Sequence, residues 1–155
     1  MLSARSTGPL GAPQPVQEAP RVLLGCEDRI LLDAMTRIVS WMRPHWVVQA
    51  AAGVDAVRRM LAERAFDVVV CGVEPRAECG VEMLHHARVT HPHLVRVAYR
   101  TSEDCRSSEL FQAHEMVSWP ADVTALIQAL DRAVDRLQRR VVAETETPGA
   151  SLQAV

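Results

Sequence analysis

The stretch FDVVVCGVEPRA, residues 66–77, decides the fold. Three consecutive valines with turn-forming residues beyond them are typical of a strand buried on both faces, as in a parallel sheet. In open sheets of this kind, ligands bind beyond the carboxyl ends of the strands. The residues after the valines, Cys71 and Gly72, are therefore the first place to look for chemistry.

Strand and helix patterns alternate five times along the chain. The helices are indicated by apolar residues at a spacing of three and four, and Asp122 is placed to cap the last of them. Five such units with short links predict an α/β fold, a parallel sheet with helices on both faces. The predicted strands are 21–25, 46–51, the opening stretch, 94–99 and 115–119, and the predicted helices are 28–41, 54–64, 81–90, 104–113 and 122–142.

The two ends of the chain lack these patterns. Residues 1–20 contain four prolines and no apolar run, so they are predicted to be a disordered arm, and residues 143–155 a disordered tail. Neither an export signal nor an apolar stretch of about 18 residues is present, so we expect a cytoplasmic protein that does not enter the membrane. The folded domain is expected to cover residues 21–142.

Composition excludes several classes of function. A net charge of -2 among 155 residues gives no basic field for nucleic acid. All 17 basic residues are arginine, and the absence of lysine excludes the P-loop and Schiff-base chemistry. A turn reading CEDR after the first strand would repel the phosphate of a nucleotide or flavin. No cofactor is therefore predicted.

Four segments, taken in order and spacing, carry a resemblance to a known family. Over about residues 21–140 the chain resembles the receiver domain of two-component response regulators. The resemblance implies a flavodoxin-like sheet with the strand order 2-1-3-4-5. The segments are RVLLGCEDRILLDAM (21–35), FDVVVCGVEPRAECGVEMLHHAR (66–88), HPHLVRVAYR (91–100) and MVSWPAD (116–122).

The chemistry of that family does not carry over to this sequence. Receivers accept a phosphoryl group on an aspartate, with Mg²⁺ held by neighbouring carboxylates and with a hydroxyl residue and a lysine nearby. The acceptor position falls on Gly72 and the acidic pair on Cys26 and Glu27. The hydroxyl position falls on Arg100 and the lysine position on Trp119. The resemblance therefore implies a degenerate receiver that is neither an enzyme nor a phosphorylated switch.

A degenerate receiver would act by binding other proteins of a bacterial signalling pathway. Trp119 is expected either to plug the emptied cleft or to anchor a partner. Met116 takes the place of the family's switch aromatic residue, and Leu137 and Val141 extend the apolar stripe of the last helix. The resemblance also implies a possible homodimer through the face of the fourth and fifth helices. Charges on this helix could assist, from Arg132, Arg136, Arg139 and Arg140.

An alternative function rests on the cysteines. The predicted fold brings all four to one edge of the sheet, where thiolates could bind a metal or sense oxidation. Their spacing matches no zinc motif, and a buried cysteine is commonly a small apolar residue. The four residues are Cys26, Cys71, Cys79 and Cys105.

Overall fold

The computed structural model describes residues 18–74, 78–101, 112–117 and 122–146. Outside these ranges lie Cys105, Trp119 and most of the predicted helix over 104–113. Most of the predicted N-terminal arm also lies outside them. The strands are β1 (Arg21–Cys26), β2 (Val47–Ala52), β3 (Val68–Val73), β4 (Val95–Arg100) and β5 (Glu115–Val117). The helices are α1 (Arg29–Met42), α2 (Val54–Glu63), α3 (Cys79–Thr90) and α4 (Val123–Glu146).

The strands form one parallel sheet in the order β2-β1-β3-β4-β5. The predicted α/β class, the five-stranded sheet and the strand order are confirmed. The valine run lies in β3, at the centre of the sheet, and every residue of this strand is buried. A strand covered on both faces has no polar side, which explains why its sequence shows no alternation.

Successive side chains of each strand enter two different cores. Val68 and Val70 pack on the face that carries α1 and α4, whereas Val69 and Cys71 pack on the face that carries α2 and α3. The alternation continues to the carboxyl end of β3. It therefore places Gly72 on the same face as Val70.

Both helices on the first face begin at an aspartate. Asp28 caps α1, and the Asp122 carboxylate accepts a hydrogen bond of 2.7 Å from the backbone N–H of Ala125 in α4. The predicted cap at Asp122 is confirmed. The last helix continues to Glu146, so residues 143–146 are helical where the sequence predicted a disordered tail.

The arginines of α4 bind the sheet. Arg132 and Arg136 form salt bridges of 3.1 and 3.0 Å with Glu115 of β5. Arg140 donates a hydrogen bond of 3.0 Å to the carbonyl oxygen of His93. These contacts fix α4 against the edge of the sheet, so three of the four arginines predicted to assist a partner already have intramolecular partners.

A neutral histidine lies beneath these arginines. The Nδ1 atom of His114 accepts a hydrogen bond of 3.0 Å from the backbone N–H of Arg96. Burial, together with the charges of Arg96, Arg140 and Arg136, lowers the pKa of His114 from 6.5 to about 4. The imidazole ring of His114 is therefore neutral in the folded protein at neutral pH.

We predict that acid destabilises the fold through His114. The unfolded chain binds a proton at this histidine near pH 6.5 and the folded chain only near pH 4, so the free energy of unfolding falls as the pH decreases between these values. His114→Asn keeps a hydrogen-bond acceptor but cannot titrate. Urea unfolding at about pH 7 and about pH 5 should show a weaker pH dependence in this variant than in the wild type.

The exposed His93→Asn is the matched control, and it should keep the wild-type dependence on pH. An unchanged slope in His114→Asn would show that this histidine does not make the fold sensitive to acid.

Candidate functional site

The candidate site is the last row of side chains at the carboxyl edge of the sheet. Cys26 ends β1, Gly72 pairs with Tyr99 of β4, and Tyr99 pairs with Val117 of β5. Cys26, Tyr99 and Val117 belong to the core beneath α1 and α4. The row that faces α1 and α4 at this edge is therefore apolar.

The prediction that Cys71 and Gly72 follow the strand is wrong. Both residues pair with β4 inside the sheet, and the ladder continues through Val73, which pairs with Arg100. The strand is longer than its valine run because the ladder is formed by backbone N–H and C=O groups, which Cys71 and Gly72 also supply. Gly72 is thus held in regular strand geometry rather than in a turn.

The side chain of Cys26 fills the space beside Gly72. A Cβ atom placed on Gly72 would lie 2.7 Å from the Sγ atom and 3.2 Å from the Cβ atom of Cys26, and Cys26 is fully buried. Non-bonded carbon and sulfur atoms do not approach this closely without displacement. A side chain at position 72 therefore requires Cys26 to move.

The other side of Gly72 is closed by helix α3. A Cβ atom on Gly80 would collide with the carbonyl oxygen of Gly72 and would lie 2.9 Å from the Cα atom of Val73. Glycine at position 80 lets the first turn of α3 rest directly on the backbone of β3. The backbone around Gly72 is therefore held between Cys26 and α3.

The two carboxylates that follow Cys26 are used within the protein. The Oδ1 atom of Asp28 accepts hydrogen bonds of 2.9 and 3.2 Å from the backbone N–H groups of Ile30 and Leu31, which caps α1. Burial, followed by the influence of the Glu27 carboxylate, raises the pKa of the Cys79 thiol.

These residues do not fit the Mg²⁺ ion of receiver chemistry. Mg²⁺ prefers oxygen ligands and usually binds one or two protein carboxylates beside the phosphoryl group. Here a thiol replaces one carboxylate, and the neighbouring Asp28 is a helix cap. In the part of the chain that the structure describes, no three residues among His, Cys, Asp and Glu form a group that could hold a metal ion.

Thr101 directly follows Arg100, the residue that the resemblance aligns with the hydroxyl residue of receivers, and its own hydroxyl binds the backbone. Its Oγ1 atom donates a hydrogen bond of 3.0 Å to the carbonyl oxygen of Val73, and its N–H donates one of 3.1 Å to the same atom. Arg100, at the hydroxyl position of the family, ends β4 and is partly buried. Thr101 therefore continues the pairing of β3 and β4 beyond the strands.

The described cysteines give no support to the metal or redox alternative. Cys26 and Cys71 belong to cores on opposite faces of the sheet, so their thiols do not converge. Burial raises the pKa of Cys71 to about 12, and it also raises the pKa of Cys26 and of Cys79. Reactive and metal-binding cysteines are thiolates, whereas these three thiols stay protonated at neutral pH. Cys105 lies outside the described residues.

The predicted interaction residues differ in exposure. Val141 is 60% exposed and Met116 is 39% exposed, whereas Leu137 is partly buried and packs against the core. Leu137 therefore offers less surface than the sequence predicted, because α4 covers the sheet beyond its first half. Trp119 lies outside the described residues, and its expected role stays a prediction.

Sequence reasoning missed Tyr99 and the outer face of α1. Tyr99 was treated only as part of a strand, although its place next to Gly72 follows from the pairing of β3 and β4. Ile30 and Trp41 are 83% and 82% exposed on α1, whereas the predicted interaction residues lie near β5 and on the last helix. The helical spacing of Ile30, Ala34, Arg37 and Trp41 was the available signal.

The solved structures similar to this chain include receiver domains. A signal receiver domain of an HD-domain-containing protein from Pseudomonas fluorescens Pf-5 has a TM-score of 0.68 and 17% identity, covering 78% of this chain and 98% of that one. A CheY-like response regulator receiver domain protein from Methanospirillum hungatei JF-1 has a TM-score of 0.69 and 15% identity, covering 79% and 98%. The fold is that of a receiver domain.

A third similar structure is named an adenylate cyclase, from Rhodopirellula baltica. Its TM-score is 0.72 at 16% identity, and the match covers 85% of this chain and 99% of that one. No protein-family model matches the sequence, and no curated protein matches it either. At such identities the likeness establishes the fold and leaves function to the residues of the site.

Separately, no helix within the described ranges has both the length and the apolar content needed to cross a bilayer.

We predict that Gly72 and Cys26 are energetically coupled. Gly72→Ala should lower the free energy of unfolding by about 1–3 kcal/mol, because the new methyl group collides with the Cys26 sulfur. Cys26→Ala removes this sulfur, so the double variant should be more stable than the sum of the single effects predicts. Urea unfolding of the four proteins gives the coupling energy.

Additivity of the two substitutions would show that the sulfur of Cys26 does not occupy the space beside Gly72. Ala98→Gly, at a buried position of β4 on the opposite face, serves with Cys26→Ala as a control pair for which additivity is expected.

Proposed function

We propose that this chain is a cytoplasmic regulatory protein with a receiver fold that acts without phosphorylation, by binding other proteins of a bacterial signalling pathway. The fold supports a regulatory role, since the similar structures include response regulator receiver domains. The observation that carries the proposal is the contact between Cys26 and Gly72. If Gly72 takes the acceptor position of a receiver, as the sequence resemblance implies, this contact leaves no room for an aspartate side chain there.

Phosphoryl transfer to this site lacks each of its components. A nucleophile must be positioned within about 3.5 Å of the reacting phosphorus, and glycine at position 72 supplies none. The edge also lacks the carboxylate pair for the metal, because Asp28 caps α1 and Cys26 is a protonated thiol. The sequence contains no lysine to stabilise the developing charge. These residues support a role in binding other proteins over phosphoryl transfer at this site.

A fixed conformation follows from the same packing. In a switched receiver the acceptor site has to rearrange, whereas here Cys26, Tyr99 and Val117 are buried in a continuous core. Packed cores are not continuously deformable, so this edge favours a single state. We infer that the protein presents its partner surface at all times and that its abundance, or the partner's state, provides the regulation.

The partner surface is proposed at β5 and the end of α4. Met116 is partly exposed on β5, and Val141 and Val142 are 60% and 51% exposed on α4. The salt bridges from Arg132 and Arg136 to Glu115 hold these two elements together. Trp119, which follows β5 in the sequence, is the proposed anchor of this surface.

We predict that the protein does not accept a phosphoryl group. Incubation with acetyl phosphate and Mg²⁺, followed by intact-mass measurement, should leave the mass of the wild type unchanged. Gly72→Asp should also remain unmodified, because Cys26 would still occupy the site and no lysine is present. A receiver with an intact acceptor aspartate, treated in parallel, is the positive control.

A stable gain of one phosphoryl group on an aspartate or glutamate of the wild type would overturn the proposed independence from phosphorylation. The same gain in Gly72→Asp alone would show that the site retains more of its chemistry than its packing allows.

We further predict that the partner surface can be altered without loss of the fold. Val141→Asp should reduce capture of partner proteins from the native cell by at least about tenfold while the melting temperature stays within about 2 °C of the wild type, since this side chain is exposed. Capture should be equal with and without acetyl phosphate. Asp55→Ala, an exposed substitution on α2, is the control.

Equal capture by Val141→Asp and the wild type would place the partner surface elsewhere. Capture that depends on acetyl phosphate would contradict a protein with one fixed state.

A further inference from the structure

The outer face of α1 carries the two most exposed large apolar side chains of the described residues. Ile30 and Trp41 are 83% and 82% exposed, and Ala34 between them is also exposed. Tryptophan is enriched at the centres of interfaces, where it accounts for much of the binding energy. The residues of this face, Ile30, Asp33, Ala34, Arg37 and Trp41, are called the α1 face below.

The helix α4 does not cover the α1 face. At the end of α1, Arg43 turns towards α4, where its guanidinium binds the carboxylate of Asp131 through contacts of 3.0 and 2.6 Å. Trp41 precedes Arg43 by two residues and hence lies on nearly the opposite side of the helix. The α1 face therefore points away from α4, and both of its apolar ends are accessible.

The residues of the α1 face are arranged so that two antiparallel copies of the helix would place complementary side chains opposite each other. A two-fold axis across the middle of α1 would place Ile30 opposite Trp41 of a second copy, at both ends of the contact. The same axis would place the small Ala34 opposite Arg37 of the second copy, leaving space for the stem of the arginine. In an isologous interface each contact of this kind occurs twice.

The charges of the α1 face also become complementary under this axis. Asp33 is adjacent to Ala34, so Arg37 of the second copy, which crosses Ala34, reaches the carboxylate of Asp33. Within one copy, Asp33 and Arg37 are both exposed, and neither belongs to the ion pairs seen among the described residues. Opposite charges at exchanged positions favour a second copy over an unrelated partner.

We propose that the α1 face is a homodimer interface in which the α1 helices of two copies pack antiparallel. Ile30 contacts Trp41 of the other copy, and Asp33 pairs with Arg37 of the other copy. A helix of 14 residues spans about 21 Å, which gives a small interface and therefore a weak, rapidly exchanging dimer. This dimer differs from one formed through the last helix, and it does not depend on whether the protein is phosphorylated.

Sedimentation velocity of the full chain, from micromolar to several hundred micromolar protein, tests the proposal. The wild type should shift from monomer to dimer over this range. Trp41→Ala should raise the dissociation constant by at least about tenfold without unfolding the protein, because the side chain is exposed. Val141→Ala, which removes exposed apolar surface from α4, should leave the dissociation constant unchanged.

Charge reversal provides the more specific arm of the experiment. Asp33→Arg or Arg37→Asp alone should weaken the dimer, since each variant places like charges opposite one another, and the double reversal should restore it. Circular dichroism confirms that α1 remains folded in each variant. A wild type that stays monomeric, an unaffected Trp41→Ala dimer, or a double reversal that fails to restore association would each overturn the proposal.

Discussion

The contact between the sulfur of Cys26 and the backbone of Gly72 is the constraint on which the carboxyl edge of the sheet depends. A Cβ atom at position 72 would lie 2.7 Å from this sulfur, and on the other side α3 rests on the same backbone through Gly80. Two adjacent strands and one helix are therefore packed around a position that has no side chain. Because the side chain of Cys26 occupies the space beside Gly72, the change in unfolding free energy caused by a substitution at one position depends on the residue at the other.

Polar groups at this edge of the sheet have partners within the protein. Asp28 caps α1, and Thr101 continues the pairing with Val73. Burial and the carboxylate of Glu27 raise the pKa of the Cys79 thiol. Hydrogen bonds from Asp28 and Thr101 to the backbone tie this edge to α1 and to β3. The protein surface that remains for function lies on the helices and on β5.

The fold could be predicted from the sequence because its signals are local. The valines of β3 and the apolar spacing of the helices were sufficient for a parallel α/β sheet, whereas its strand order followed from the family resemblance, and Asp122 was recognised as a cap. The ends of the elements were harder to predict from the sequence, since Gly72 and Val73 pair as strand residues beyond the run of three valines. The last helix likewise continues to Glu146 beyond its apolar stripe.

The candidate site could be predicted only in part. The residues at positions 26, 72, 100 and 119 could be named from the sequence, but the contact of Cys26 with Gly72 depends on packing between strands that are distant along the chain. The cap at Asp28 follows from the sequence, since an aspartate directly before an apolar helix is the standard cap. The family resemblance implies no partner surface on α1, so it gives no indication of Trp41.

An edge filled by Cys26 should not bind a metal together with a phosphoryl group. The most direct measurement is a titration of ¹⁵N-labelled protein with Mg²⁺ and beryllium fluoride, a phosphoryl analogue, followed by the amide resonances of Glu27, Gly72 and Thr101. We expect no saturable change in these resonances. Saturable shifts centred on Gly72 and its neighbours in β1 and β4 would contradict it.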